Sequence, residues 1–265
     1  MRLDLYLVNR SFVESRQKAQ RLIKGGCVKV DGREVTKTSE DIDEKTEHSV
    51  ELSETESERY VSRGGLKLEG ALDAFDVSPK GLVCADIGAS TGGFTDCLLQ
   101  RGAKRVYAFD SGKSQLHPRL ACDERVISKE GFNARYITPD DVGEQVDLAV
   151  MDVSFISQTM IIPSLSRLIR EGGMLVTLVK PQFEAGRAAL GKNGIVKRKE
   201  DRLSAVMRVL ECAANEGLVF KGLITSPIKG GDGNEEYLAC FIKAEVGMAA
   251  VPLAADIKNI VYSKS

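Results

Sequence analysis

The sequence predicts an α/β fold: a mostly parallel, seven-stranded sheet with helices on both faces, preceded by a small α+β head. Three observations carry this. From residue 81 onward, short apolar strands alternate with amphipathic helices, the pattern of a parallel sheet built through crossovers. Residues 1–39 instead hold nine Lys/Arg against four acids, a net of +5. The stretch from Glu40 to Glu58 then holds nine acids and one lysine, so the charge reverses where a domain boundary would fall.

The head reads helix, helix, hairpin. Ser15–Lys24 is helical in composition and Gly25-Gly26 can stop it with a positive-φ cap. Cys27–Val30, the tight turn Asp31-Gly32 and Arg33–Val35 follow as a hairpin. In the larger part, Leu82–Asp86 is a buried-type strand, followed by a glycine turn and a helix from Phe94 to Arg101 that Gly102 stops. Arg105–Asp110 is the second strand, Arg125–Ile127 a weak third and Val146–Asp152 a strong fourth. A helix over Ile156–Arg170 ends at Gly172-Gly173, and Met174–Lys180 is the fifth strand. A long helix, Lys199–Asn215, precedes closing strands at Leu218–Thr225 and Tyr237–Lys243. The expected partition is therefore a head over 1–58, a linker over 59–63, the α/β domain over 64–246 and a tail over 247–265.

Composition excludes several classes. No apolar run approaches the ~18 residues of a membrane span, and the start lacks a sustained apolar signal core. No export and no membrane partner are expected, and the cytoplasm is the expected compartment. The six cysteines are scattered without a C-x-x-C pair, and the two histidines, His48 and His117, lie far apart. Neither zinc nor any other metal is expected, nor a histidine base.

The turn Asp86–Phe94 joins the first strand to its helix, where glycines let a ligand approach the backbone. Asp110, 22 residues after Gly88, ends the next strand, where a carboxylate can accept bonds from ribose hydroxyls. The glycines do not follow the dinucleotide spacing G-x-G-x-x-G, and Asp86 before the turn suits a cationic, phosphate-free ligand. S-adenosylmethionine fits both features, with NAD as a secondary reading. Asp152 and Lys180 close two strands predicted to be neighbours, so an acid and an amine should project into the same crevice.

On these residues the chain resembles the FtsJ-like RNA ribose 2′-O-methyltransferases, and more closely the TlyA (hemolysin A) family of rRNA 2′-O-methyltransferases. The markers are the basic head, similar to the αL RNA-binding fold of a small-subunit ribosomal protein, and Tyr60–Leu68, Gly88–Thr95, Asp152–Ile156, Val179–Phe183 and Gly233–Tyr237. The resemblance implies a Rossmann-like methyltransferase domain with S-adenosylmethionine as methyl donor. It also implies a catalytic tetrad, which lands on Lys67, Asp152, Lys180 and Glu236, with Lys180 as the base. The expected cofactor set is Asp86, Gly88, Ser90, Gly92, Gly93, Phe94, Asp110, Asn133 and Asp152. Ribosomal RNA or a ribosomal subunit is the implied partner, with a cytidine as the methylated nucleotide. Arg2, Arg16, Lys18, Arg21, Lys24 and Arg63 are the expected RNA contacts. Arg187, Lys192, Lys197, Arg198, Lys199 and Arg202 form a second candidate surface in a glycine-containing loop and the helix start after it.

Two other classes compete. One is an RNA-binding assembly protein with a vestigial methyltransferase fold, disfavoured by the full acid–lysine set. The other is a membrane-lysing protein, disfavoured because no strongly hydrophobic amphipathic segment is present.

Overall fold

The computed structural model describes residues 1–52, 59–230, 233–244 and 250–263. The end of the acidic connector, the boundary expected at 246–247 and the side chain of Lys192 lie outside the described residues. The chain divides into two units, Met1–Arg59 and Tyr60–Ser265.

The first unit contains α1 (Leu3–Asn9), α2 (Arg16–Lys24), β1 (Val28–Val30), β2 (Arg33–Glu34) and β3 (Val50–Leu52). The strands form an antiparallel sheet in the order β2-β1-β3. Ser15 caps α2 by accepting the Lys18 amide at 3.3 Å, satisfying one of the orphan donors of the first turn. Leu3, Leu7, Ala19, Ile23 and Val28 are fully buried and make a core of their own. Strand β3, Val50-Glu51-Leu52, is only three residues long, too short for its alternation to mark a strand by itself, and its pairing with β1 depends on tertiary context.

The second unit begins with α3 (Gly64–Ala74), β4 (Val83–Ile87), α4 (Gly93–Gln100), β5 (Arg105–Asp110), α5 (Pro118–Ala121) and β6 (Val126–Glu130). It continues with β7 (Val146–Met151), α6 (Ile162–Leu168), β8 (Ile169–Val179), α7 (Pro181–Glu184) and α8 (Lys199–Asn215). It closes with β9 (Leu218–Thr225), β10 (Tyr237–Lys243) and α9 (Ala254–Tyr262). The seven-stranded sheet runs β6-β5-β4-β7-β8-β10-β9. Strands β4 to β8 are mutually parallel, and β10 is antiparallel to both neighbours. Helices α3 and α4 cover one face, burying Leu68, Leu72, Phe94 and Leu98. Helices α6, α8 and α9 cover the other, burying Leu165, Val206, Val209 and Ile257. Strand order reverses between β4 and β7, and open α/β sheets bind ligands outside the carboxyl ends of the strands at such a point.

Four expectations need correction. Tyr60 does not act as linker: it is 4% exposed, packs with α3 and donates from its hydroxyl to Glu69. The adjacent Val61 amide is held by Asp96 at 2.8 Å, so the chain is fastened from residue 60 on. The segment expected as a tail contains α9, whose Ile257 and Val261 are buried in the core. The helix expected over Ile156–Arg170 is shorter, because Pro163 favours the first turn of a helix and α6 starts at Ile162. Its last residues become strand instead: Ile169 pairs with Val146, with a register shift before Leu148, so Gly172-Gly173 lies within β8.

Candidate active site

The glycine turn after β4 is shaped by the strand beside it. Gly88 has φ +85°, and a Cβ there would lie 2.3 Å from the backbone oxygen of Asp152, so only glycine lets β7 approach so closely. Ser90 follows at φ +49°, and its amide donates to Asp110 Oδ2 at 2.7 Å. The other oxygen, Oδ1, accepts the Gly112 amide at 2.7 Å, so Asp110 braces two loops across the crevice. Gly93 opens α4 where a Cβ would strike Ser62 Oγ, which lets α3 and α4 meet.

Asp152 follows the end of β7 and Lys180 the end of β8, two adjacent parallel strands. Lys180 Nζ lies 2.6 Å from Asp152 Oδ1 and donates to Ser154 Oγ at 2.9 Å. Lys67 on α3 pairs with Glu236 just before β10, Nζ to Oε2 at 2.5 Å. Both members of that second pair are buried, Glu236 at 3% exposure. Gly230 leaves the room this carboxylate occupies, since a Cβ there would lie 2.6 Å from Glu236 Oε1.

Two cavities meet at these groups. One, of about 310 Å³, is lined by Lys67, Asp152, Lys180, Gly93 and Phe94, with Arg63 and Lys229. The other, of about 400 Å³, is lined by Asp110, Phe132, Asn133, Val153 and Ile156. Gly88, Ser90, Asp152 and Ser154 belong to both walls, so the cavities share a boundary formed by the turn and the acid. The structure thus brings together Lys67, Gly88, Ser90, Gly93, Phe94, Asp110, Asn133, Asp152 and Lys180, with Glu236 behind Lys67.

Two expected cofactor residues lie elsewhere. Asp86 is fully buried beneath the turn and lines neither cavity; Thr95 donates to its Oδ2 at 2.7 Å. Burial pushes its carboxyl up to about 7, and its Oδ1 has no hydrogen-bond partner among the described residues. Gly92 likewise lines neither cavity: at φ +96° it caps α4, and a Cβ would strike Leu120 and Leu116.

Among the basic residues, Arg63 is exposed and donates to the Lys229 carbonyl at 3.0 Å. In the head, Arg2 and Arg16 are held by Asp4, Lys18 lies 3.6 Å from Glu14, and Arg21 and Lys24 line an open cavity along α2. In the second basic group, Arg187, Lys197 and Arg198 are exposed. Arg202 is not part of that surface. It is 7% exposed, pairs with Glu235 at 3.1 Å and donates to the Val196 and Lys197 carbonyls, so it anchors the loop from inside. Lys199 also turns away, donating to the Tyr262 carbonyl at 2.8 Å.

Sequence reading did not single out Ser62, Ser154, Lys229 or the aromatic pair Phe155 and Phe183. The ring centroids of that pair lie 5.2 Å apart, and Phe155 is 93% exposed at φ +64°. An exposed aromatic held in a conformation that L side chains rarely adopt points to a surface used for binding. Behind it, Glu184 accepts from Ser157 Oγ at 2.5 Å and from the Gln158 amide at 2.8 Å. Gln158 in turn accepts from Thr177 and donates to the Leu178 carbonyl, stitching the loop after β7 to β8.

Residues 60–243 match the FtsJ-like methyltransferase family and residues 1–48 match the S4 domain. A relative from Mycobacterium tuberculosis, named 16S/23S rRNA (cytidine-2′-O)-methyltransferase TlyA, is 43% identical over 237 residues, 89% of this chain and 87% of its own. Hemolysin A of Brachyspira hyodysenteriae is 44% identical over 247 residues, 91% of this chain and 100% of its own. A solved structure from Streptococcus thermophilus that carries a hemolysin name is 42% identical, with a TM-score of 0.74 over 98% of this chain and 94% of that one. Among the described residues, no helix is long and apolar enough to cross a membrane. The chain belongs to the TlyA family of FtsJ-like methyltransferases and carries an S4 domain at its N-terminus.

Proposed function

We propose that the protein methylates the ribose 2′-hydroxyl of a cytidine in ribosomal RNA, with S-adenosylmethionine as donor, and that it acts in the cytoplasm on rRNA or a ribosomal subunit. The observation that carries this reading is the Lys180–Asp152 pair, 2.6 Å apart on the boundary of the two cavities.

The donor fits the larger cavity on the residues present. A Cβ at Gly88 would fill the turn, Asp110 ends the wall as a carboxylate, and Phe132, Val153 and Ile156 offer apolar surface for a purine. Gly88, Ser90, Asp110 and Asn133 would hold it there, and Asp152 would face its positive centre. When bound, it supplies an electrophilic methyl group on a sulfonium.

The chain's own residues prepare the hydroxyl. A ribose hydroxyl is a poor nucleophile, so a proton must leave it during attack. Lys180 Nζ, held between Asp152 and Ser154, is the group placed to receive that proton. Asp152 orients the amine, and Glu236 holds Lys67 extended into the same cavity, where its charge can meet a phosphate or ribose oxygen. Such acid–base help is typically worth about 10²–10⁴-fold. Aligning two bound reactants supplies ~7–11 kcal/mol, so positioning is the larger contribution.

RNA recognition follows the same logic. Arg63 and Lys229 give the cavity mouth positive charge, and the exposed Phe155 ring offers a stacking face to an unpaired base. The test is tritium transfer from methyl-labelled S-adenosylmethionine to rRNA, paired with calorimetry of donor binding. The reading expects both signals; an assembly protein with a vestigial fold would show neither.

A further inference from the structure

The head buries a charge for which methyl transfer has no use. Asp4 has no exposed surface, although it lies in the most basic stretch of the chain. Its Oδ1 accepts from Arg2 Nε at 3.0 Å. Its Oδ2 accepts from Arg2 Nη2 at 3.1 Å, Arg16 Nε at 3.0 Å and Gln20 Nε2 at 2.8 Å. Four donors saturate a carboxylate, which has about four lone-pair sites. These bonds, that of Arg2 foremost, hold the Asp4 carboxyl far below the usual range despite its burial.

Stability alone does not account for this arrangement. Desolvating a carboxylate is unfavourable, and a buried ion pair is often no better than a well-packed apolar residue of the same volume. The donors, moreover, are not buried with their acceptor. The Arg2 and Arg16 side chains are 43% and 51% exposed. Arg16 gives Asp4 only its Nε–H, and its terminal nitrogens bond nothing else among the described residues. Gln20 belongs at the same time to the wall of the open cavity of about 400 Å³ that Ser15, Gln17, Arg21 and Lys24 line. Arg16, Gln20 and Lys24 lie four residues apart along α2, so they form one row on its face. One buried anion therefore fixes the near end of a basic row that faces water.

We propose that Asp4 is the positioning residue of the head's RNA surface: its buried carboxylate holds Arg2, Arg16 and Gln20 in one register, so that pre-oriented guanidinium forks meet the phosphate backbone. The proposal rests on the rRNA reading above. A free arginine loses rotamer entropy on binding unless its side chain is already fixed. Asp4 fixes it in the free protein.

The charge change makes the proposal testable by sign. Asp4→Asn adds one net positive charge to the head, and electrostatics alone would then tighten binding to RNA. Positioning demands the reverse, a loss of about tenfold, since one oriented hydrogen bond to a charged group is worth that much. Glu14→Gln makes the same charge change at a side chain that is 87% exposed and lies 3.6 Å from Lys18. It should bind as tightly as wild type or tighter. The measurement is equilibrium binding of the full-length variants to a labelled transcript of large-subunit rRNA at fixed salt, alongside thermal melting. Weakening by Asp4→Asn with no weakening by Glu14→Gln supports the proposal, and equal tightening by both overturns it. If Asp4→Asn melts out the head, Arg16→Lys decides, because it keeps the charge but not the fork. An affinity loss of about threefold or more at an unchanged salt slope then supports positioning, and unchanged affinity overturns it. A wild-type chain that binds no rRNA would overturn the broader reading and this proposal together.

Discussion

Lys180 Nζ and Asp152 Oδ1 lie 2.6 Å apart although 28 residues separate them, because β7 and β8 are adjacent parallel strands whose carboxyl ends lie within two residues of each other in register. Register sets the offset: Met151 pairs with Thr177, so β8 runs two residues beyond β7 and the side chains of Asp152 and Lys180 meet across that step. In the proposed reaction this pair delivers the base to the hydroxyl. Replacing Lys180 by Ala should abolish methyl transfer, a loss of at least the ~10²–10⁴-fold typical of proton-transfer catalysis. Donor affinity, measured by calorimetry, should stay nearly unchanged, because Lys180 lines the smaller cavity only.

The second pair should behave as a unit in folding. Lys67→Met leaves the Glu236 carboxylate, 3% exposed, without its cation, and breaking a buried pair this way is destabilising by roughly 3–5 kcal/mol. Adding Glu236→Gln removes the stranded charge and should restore part of that loss. Urea unfolding of the single and double variants checks this, and strictly additive losses would show no coupling between the two side chains.

Asp86 gives the domain a pH-dependent stability. Its carboxyl is pushed by burial up to about 7 from an ordinary 3.8. Between these values the native state keeps a proton that the unfolded chain has released. Stability is therefore undiminished below about pH 4 and falls as pH rises towards 7. Asp86→Asn imitates the protonated form. It should flatten that slope and raise stability at pH 8 by on the order of 4 kcal/mol at most. Denaturant midpoints at pH 5 and pH 8 read this directly, and an identical wild-type and variant slope would contradict it.

The brace behind the site should act on turnover more than on donor binding. Glu184 ties Ser157 and Gln158 to the chain just beyond Lys180. Glu184→Gln replaces one acceptor oxygen with a donor and strands one of those two partners. We expect kcat to fall about tenfold, equivalent to about 1.4 kcal/mol, with donor affinity unchanged. Combining it with Ser157→Ala should add little, as the two residues share one bond.

Phe155 should matter to RNA rather than to the fold. Its ring is 93% exposed, so Phe155→Ala removes almost no buried surface. Loss of a base-stacking face is worth about 1–3 kcal/mol, and the KM for rRNA should rise accordingly. Thermal stability should hold or improve, since alanine is smaller at φ +64°; an unchanged KM would remove Phe155 from recognition.

Much of this was legible in the residues because chemistry sits at strand ends. The apolar runs before Asp86, Asp110, Asp152 and Lys180 marked four strands, and parallel order then brought Asp152 and Lys180 together. Asp86 was assigned to the ligand by its place before the glycine turn. Strand alternation and the fully buried pattern of β4 put its side chain under the turn instead, on Thr95. Arg202 read as one more cation in a basic run, and only the fold shows Glu235 drawing it inward. Helix α9 escaped because its apolar stripe, Ile257 and Val261, is short. The Glu184 brace and the Asp4 cluster join residues distant in sequence, through hydrogen bonds that no local pattern encodes.

The central claim is tested most directly by mass mapping of rRNA nucleosides after incubation with the wild-type chain, the Lys180→Ala variant and S-adenosylmethionine. One new 2′-O-methylcytidine is expected with the wild type and none with the variant. Methylation on a base atom, or an unchanged product with Lys180→Ala, would contradict it.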